Sequence, residues 1–147
     1  MQTRQCWTVL ANKAEDHCSR IQQELSSLQQ RLDGLQANER RLRQLYAEYH
    51  ERLSRPGAQS HGMQDAINQR QFMRQLTELI DKVRRDQSIL HQGLKQARQQ
   101  LAEAQREKLK MQALIEHDLH RQRIAQKLQE QKQMDELGLR QFHFRHA

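Results

Sequence analysis

The sequence predicts an all-α fold, in which two long helices form an antiparallel coiled-coil hairpin and the second, longer helix overhangs the first. Two stretches with apolar residues at steps of three and four, on either side of one Pro–Gly segment, predict the helices. Hydrophobic residues make up 35% of the chain and the mean hydropathy is -1.09, which is too little to fill a broad core. A disordered chain is disfavoured by the presence of only 1 Pro and 5 Gly in 147 residues.

The first helix is predicted over residues 4–54. Apolar side chains recur along it without a break in the pattern, and we call this stripe the first seam. Only one of its positions, Glu39, is charged. The first seam consists of Trp7, Ala11, Ala14, Cys18, Ile21, Leu25, Leu28, Leu32, Leu35, Glu39, Leu42, Tyr46, Tyr49 and Leu53.

A loop is predicted over residues 55–62, which contain the only Pro and two of the five Gly. The second helix follows over residues 63–137, and a frayed tail is expected over residues 138–147. Its apolar stripe, the second seam, loses its apolar character after Ile115, so residues 116–147 are expected to overhang. The second seam consists of Ala66, Gln69, Met73, Leu76, Ile80, Val83, Gln87, Leu90, Leu94, Ala97, Leu101, Ala104, Lys108, Met111 and Ile115.

A short loop between two helices predicts that they run antiparallel within a single domain of residues 1–147. Pairing counted outward from the loop brings Trp7 to the neighbourhood of Met111. The polar seam residues Glu39, Gln87 and Lys108 are expected to fix the register or to keep their polar heads in water.

Several functional classes are disfavoured by what the sequence contains. The net charge is +7, but basic and acidic residues are interspersed, whereas nucleic-acid binding would favour one basic stripe with aromatic residues between. A phosphate-binding loop, a nucleophile elbow and a CxxC motif are all absent, so neither an enzyme nor a cofactor is expected. His117 and His120 share a helix face, but a two-helix hairpin encloses no cavity and no metal site is expected.

The cysteines and the hydropathy point to one compartment. Cys6 and Cys18 would lie ~18 Å apart on one helix, so both are expected to be free thiols, as in a reducing cytoplasm. The start of the chain has no apolar signal segment, and no apolar run is long enough to cross a bilayer. A cytoplasmic protein without direct membrane insertion is predicted.

Apolar side chains near the loop exceed what one stripe per helix can bury. They form a predicted ridge on the second helix with further apolar residues across the hairpin. Two interpretations stay open: the residues widen the core at the hairpin tip, or they form an exposed docking patch. The ridge is Phe72, Leu76, Leu79 and Val83, and the residues across from it are Leu42, Leu45 and Tyr49.

Four patterns, in order along the chain, resemble the flagellar FliJ family. They are Leu10-x3-Ala14-Glu15 near the start, Tyr46-x-Glu48-Tyr49-x3-Leu53 before the loop, Ile67-Asn68-x2-Gln71-Phe72-x3-Leu76-x3-Ile80 after it, and Gln131-Lys132-x-Met134-Asp135-Glu136-Leu137 near the end. Chain length and loop position agree with the family as well, so the resemblance covers nearly the whole chain.

The resemblance implies a soluble, non-catalytic stalk of the flagellar type III export apparatus, peripherally associated with its membrane components. The implied partners are the hexameric export ATPase (FliI-like), whose ring assembly the family promotes, the cytoplasmic linker of the export gate (FlhA-like), and empty export chaperones. Gate binding carries over to Phe72, Leu76, Leu79 and Val83, with Leu42, Leu45 and Tyr49 as possible additions. ATPase binding is expected at Leu10, Ala14, Glu15, Lys132, Asp135, Glu136 and Arg140. Alternatives are the equivalent stalk of a virulence-type secretion system and a generic structural coiled coil.

Overall fold

The computed structural model describes residues 2–55 and 62–146, and it confirms an all-α fold in which two helices pack against each other. Helix α1 spans Gln2–Ser54 and helix α2 spans Met63–His146. The predicted loop falls largely on residues 56–61, which lie outside the described residues. In the described part of the chain, no helix is long and apolar enough to cross a membrane.

Local hydrogen bonds mark the two helix ends that border the loop. The Ser54 hydroxyl donates to the carbonyl oxygen of His50, one helical turn earlier in α1, at 2.7 Å. Gly62 has a φ of 41°, a left-handed conformation that glycine adopts without steric cost. The Ala66 amide then donates to the Gly62 carbonyl at 3.4 Å, and α2 begins directly after this glycine.

The far end of α2 differs from the sequence prediction. A helix end near residue 137 and a frayed tail from Gly138 were expected, but α2 continues to His146. A single glycine in a helix costs only about 1 kcal/mol relative to alanine, and Leu137, Leu139 and Arg140 around it are good helix formers. The glycine therefore does not end the helix, which extends nine residues beyond the predicted end near residue 137. Fraying of the segment from Gly138 stays a prediction.

The described residues pack into two compact units, each of which draws on both helices. The loop-side unit comprises Ser19–Ala102, and the terminal unit comprises Met1–Cys18 with Glu103–Ala147. The prediction of one domain over residues 1–147 therefore stays a prediction, and the units are taken separately below.

In the loop-side unit the two helical segments run in opposite directions. The rings of Tyr49 and Phe72 have centroids 4.8 Å apart, and a Cβ added at Gly93 would lie 3.9 Å from Leu28 Cδ1. Lower residue numbers in α1 thus meet higher residue numbers in α2, which is the antiparallel arrangement. The buried core of this unit is narrow and consists of Ile21, Leu32, Leu76, Leu94 and Ala97, each at most 5% exposed.

In the terminal unit the buried residues are Cys18 and Ala104, both 5% exposed. Trp7 and Ile115 line one open groove of about 630 Å³, together with Leu119. Trp7 is therefore aligned with Ile115 and Leu119, one to two helical turns beyond the Met111 neighbourhood that pairing counted from the loop predicts. Residues 120–146 of α2 are all exposed.

The two seams contain all the buried residues of the described chain and most of the partly buried ones. Every predicted seam position in both helices is buried or partly buried, and most intervening positions are exposed. Residues at steps of three and four lie on one helix face, so each helix buries one stripe against the other. The predicted seams are confirmed in both units.

Candidate functional site

The predicted gate-binding ridge lies in the loop-side unit, and its four residues differ in accessibility. Leu76 is 2% exposed and belongs to the core, so its side chain is closed to a partner. Phe72 and Val83 are half-buried, whereas Leu79 is 48% exposed. The ridge is therefore not one continuous exposed patch, because its second member packs inward.

The Phe72 side chain packs against α1 and is not fully exposed. Its ring is tilted by 52° against the ring of Tyr49, and the guanidinium of Arg52 lies 5.5 Å from the Tyr49 ring centroid on α1. Leu42 and Leu45, the other predicted additions to this surface, are half-buried, as is Tyr49. The core-widening interpretation thus describes Phe72 and Leu76, and the docking interpretation is left with Leu79 and the outer faces of its half-buried neighbours.

The predicted ATPase-binding residues all fall in the terminal unit, in two groups. Near the start of α1, Leu10 is 46% exposed, Ala14 is half-buried and Glu15 is exposed. The second group, near the end of α2, is fully on the surface and consists of Lys132, Asp135, Glu136 and Arg140.

These two groups do not contact each other in the structure. Trp7, at the start of α1, lies beside Ile115 and Leu119. Lys132 follows Leu119 on the same helix by about 20 Å, at 1.5 Å of rise per residue. The terminal unit consequently offers two separate surfaces, and a single partner would have to span them to touch both groups.

The end of α2 carries apolar side chains that the sequence reasoning left unassigned. Met134, Leu137 and Phe144 are 70%, 54% and 89% exposed. With Gln141 between them they follow the three- and four-residue steps of one helix face. Leu137 and Phe144 also line an open groove of about 400 Å³ with Arg140, so an apolar strip runs beside the predicted charged group. The three- and four-residue spacing of these apolar side chains is the sequence feature from which the strip could have been predicted.

Phe142 lies on another face of the same segment and contacts the next helical turn. Its ring stacks on that of His146 with centroids 4.3 Å apart, and His146 Nδ1 lies 3.2 Å from the Phe142 carbonyl oxygen. Pairs four residues apart on a helix face each other, so this contact supports the helical conformation near the end of α2.

One charged residue lies inside the seam of the loop-side unit. Glu39 is 18% exposed at its side chain and accepts hydrogen bonds from Gln87 at 3.0 Å and from Arg84 at 3.2 Å, both on α2. Arg43, on the same helix as Glu39, adds an ion pair at 2.9 Å. The hydrogen bonds from Gln87 and then Arg84 hold the pKa of Glu39 below its ordinary value of 4.5, against the smaller opposing effect of desolvation.

The remaining candidate ligands and nucleophiles are dispersed. Within residues 2–55 and 62–146, no group of three or more His, Cys, Asp and Glu side chains is placed to hold a metal ion. Cys6 is exposed and Cys18 is buried, and both are free thiols, as predicted. The exposed predicted site residues are Leu79 in the loop-side unit and the charged group near the end of α2, which lies beside exposed apolar side chains.

Comparison with known proteins gives one match. A family model described as flagellar FliJ protein matches residues 8–146, which include nearly all of both helices. No curated protein and no solved structure gives a significant match to the chain. The family match agrees with the resemblance drawn from the four sequence patterns, and the chain belongs to the FliJ family of flagellar proteins.

Proposed function

We propose that this protein is a non-catalytic stalk of the flagellar type III export apparatus, which couples the export ATPase to the export gate. The observation that carries the proposal is the family match over residues 8–146. The exposed surfaces on two long helices agree with a protein that works through contacts with larger partners. In this proposal the stalk resides in the cytoplasm and associates peripherally with the membrane-embedded apparatus.

The proposed ATPase-binding surface is in the terminal unit. Residues 120–146 of α2 are all exposed, so the side chains of this segment are accessible to a partner. It combines the charged group Lys132, Asp135, Glu136 and Arg140 with the apolar strip of Met134, Leu137 and Phe144. Apolar anchors beside charged side chains are typical of protein-binding surfaces, where the anchors give affinity and the charges give orientation. Leu10, Ala14 and Glu15 on α1 are the second proposed contact.

An ATPase assay tests this part of the proposal. The full chain is mixed with a FliI-like ATPase, and we expect higher ATP hydrolysis and more hexameric rings. The variant Lys132→Glu with Arg140→Glu is expected to lose this stimulation. The matched control is Lys95→Glu with Arg98→Glu, which makes the same change at exposed α2 positions in the loop-side unit. Unchanged hydrolysis and ring assembly with the wild-type chain would refute ATPase coupling.

The proposed gate-binding surface is centred on Leu79, the exposed member of the predicted ridge. Phe72 and Val83 contribute their exposed edges, with Leu42, Leu45 and Tyr49 across on α1. Leu76 supports this surface from the core. The partner is the cytoplasmic linker of a FlhA-like gate protein, which would dock an apolar segment here.

A binding assay with the isolated gate linker tests this surface. Leu79→Asp is expected to abolish binding and to leave the helical content unchanged, because Leu79 is 48% exposed. The control is Ile89→Asp, which introduces the same charge at a residue of α2 that is 65% exposed. If both variants bind like the wild type, Leu79 is not part of a gate-binding surface. Phe72→Asp is a poorer test, since Phe72 packs against Tyr49.

The proposal extends to export chaperones that have released their cargo, since the resemblance implies them as partners. We expect an empty chaperone to bind the chain and a cargo-loaded chaperone to bind weakly. Equal binding of both forms would contradict a chaperone-recycling role. The alternative of a generic structural coiled coil predicts that neither the ATPase nor the gate linker binds, so the same assays separate it from the export function.

A further inference from the structure

A polar cluster interrupts the apolar seam of the loop-side unit, and we propose that it is a register lock. The cluster consists of Glu39 of α1 with Arg84 and Gln87 of α2. Gln87 donates to Glu39 Oε2 at 3.0 Å, and Arg84 donates to Glu39 Oε1 at 3.2 Å. The lock selects one alignment of α1 with α2, and it disfavours alignments that are displaced by whole heptads.

The apolar seam alone distinguishes poorly between alignments. Sliding α2 along α1 by one heptad, about 10 Å, again places seam positions opposite seam positions. Most of these positions are Leu, Ile, Ala or Val and therefore resemble one another. The connection of residues 55–62 can reach about 26 Å when extended, so chain connectivity permits such a slip. A further determinant of the register is needed.

A slip by one heptad separates Glu39 from both of its partners on α2. Glu39 would then face Ile80 or Leu94 in place of Gln87. By the same displacement, Gln87 would face Leu32 or Tyr46. The Glu39 side chain is only 18% exposed, so losing these donors leaves a carboxylate poorly solvated against apolar neighbours. Polar residues at seam positions are the best-attested device for fixing coiled-coil register.

The ion pair of Glu39 with Arg43 does not depend on the register of the two helices. Arg43 lies on the same helix as Glu39, and its 2.9 Å ion pair survives any displacement of α2. Of the three partners of Glu39, only Arg84 and Gln87 lie on α2, so only their hydrogen bonds depend on the register. Because partly buried polar pairs seldom add stability over well-packed apolar side chains, replacing Glu39 and Gln87 by leucine is expected to change which pairing forms more than how stable the helix pair is.

Distances between spin labels measure the register directly. Labels are attached at Ser19→Cys and Thr77→Cys, which are exposed positions in the loop-side unit, after Cys6→Ser and Cys18→Ala remove the native thiols. The observed pairing of Leu28 with Gly93 puts the two labels about 40 Å apart along the helix axis. A one-heptad slip changes this distance by about 10 Å. The unlocked variant is Glu39→Leu with Gln87→Leu.

We expect one narrow distance distribution for the labelled parent chain. The unlocked variant is expected to keep its helicity and to populate displaced distances, lowering the preference for the native distance by about tenfold or more. Two variants serve as controls and should keep the native distance: Glu39→Gln with Gln87→Glu, which exchanges the polar partners, and Glu51→Leu, which removes the exposed ion pair of Glu51 with Arg55 at the end of α1. A single native distance in the unlocked variant would overturn the proposal. Loss of helicity in that variant would overturn it too, because the cluster would then supply stability rather than specificity.

Discussion

Truncation of Leu32 to alanine tests whether the narrow seam carries the stability of the loop-side unit. Leu32 is 3% exposed. The change removes three carbon atoms, and at about 0.8 kcal/mol per buried methylene it loses roughly 2.4 kcal/mol of transfer free energy. A residual cavity adds to this cost, but two helices with solvent on both sides can close over most of it. We therefore expect the free energy of unfolding to fall by about 2–3 kcal/mol.

Urea unfolding followed by circular dichroism measures this difference. The control is Ile89→Ala, which removes the same number of carbons from a side chain of α2 that is 65% exposed. Alanine also has the higher helix propensity, so the control is expected to change the free energy of unfolding by less than about 0.5 kcal/mol. Equal losses in the two variants would refute the assignment of Leu32 to the core and, with it, the seam packing.

Three further predictions follow from individual residues. The pKa of Glu39 is lowered by its partners, so the stability it contributes is complete above the unfolded pKa of about 4.5 and is lost as the pH falls through the lower folded pKa. The difference in unfolding free energy between the wild type and Glu39→Gln should therefore shrink below about pH 4.5, and a constant difference across that range would argue against the hydrogen bonds. Cys6 is exposed and should react quickly with a thiol reagent, whereas Cys18 should react only after denaturant is added; equal rates would mean that α2 does not cover Cys18. Gly34→Ala should stabilise the chain by about 0.5–1 kcal/mol, since a Cβ there meets nothing within 4 Å, while Gly62→Ala should destabilise it by about 1 kcal/mol because φ is 41°; the same sign for both would contradict the backbone argument.

The seams could be predicted from sequence because a single physical rule produces them. Each helix can bury only one stripe, and apolar residues at steps of three and four mark that stripe without reference to the partner. Which residues of the two stripes lie opposite each other is not determined by this rule. Counting outward from the loop places Trp7 in the neighbourhood of Met111, whereas Ile115 and Leu119 line the groove with Trp7, because residue spacing along each helix does not determine where the two stripes meet.

The exposure of the side chains on the candidate docking surface could not be predicted from the apolar pattern. The apolar pattern places Leu76 in the second seam and Phe72 and Leu79 beside it, so it predicts burial for Leu76 and does not determine the exposure of the other two. The structure makes Leu76 a core residue and leaves Leu79 48% exposed, because the direction of each side chain depends on how α2 is rotated against α1. The charged residues near the end of α2 are exposed, and their distance from the start of α1 follows only from the groove that Trp7 shares with Ile115 and Leu119.

The exposed segment of residues 120–146 has a mechanical consequence. An isolated helix of this length is marginal in water because starting the first turn is costly. Here that turn is supplied by the preceding part of α2, so the segment only has to propagate an existing helix. Substitutions that alter propagation, such as Gly138→Ala, would then tune the stiffness of a rod about 40 Å long while leaving the paired helices untouched. Bending rigidity and folding stability thereby become separately adjustable in one continuous helix.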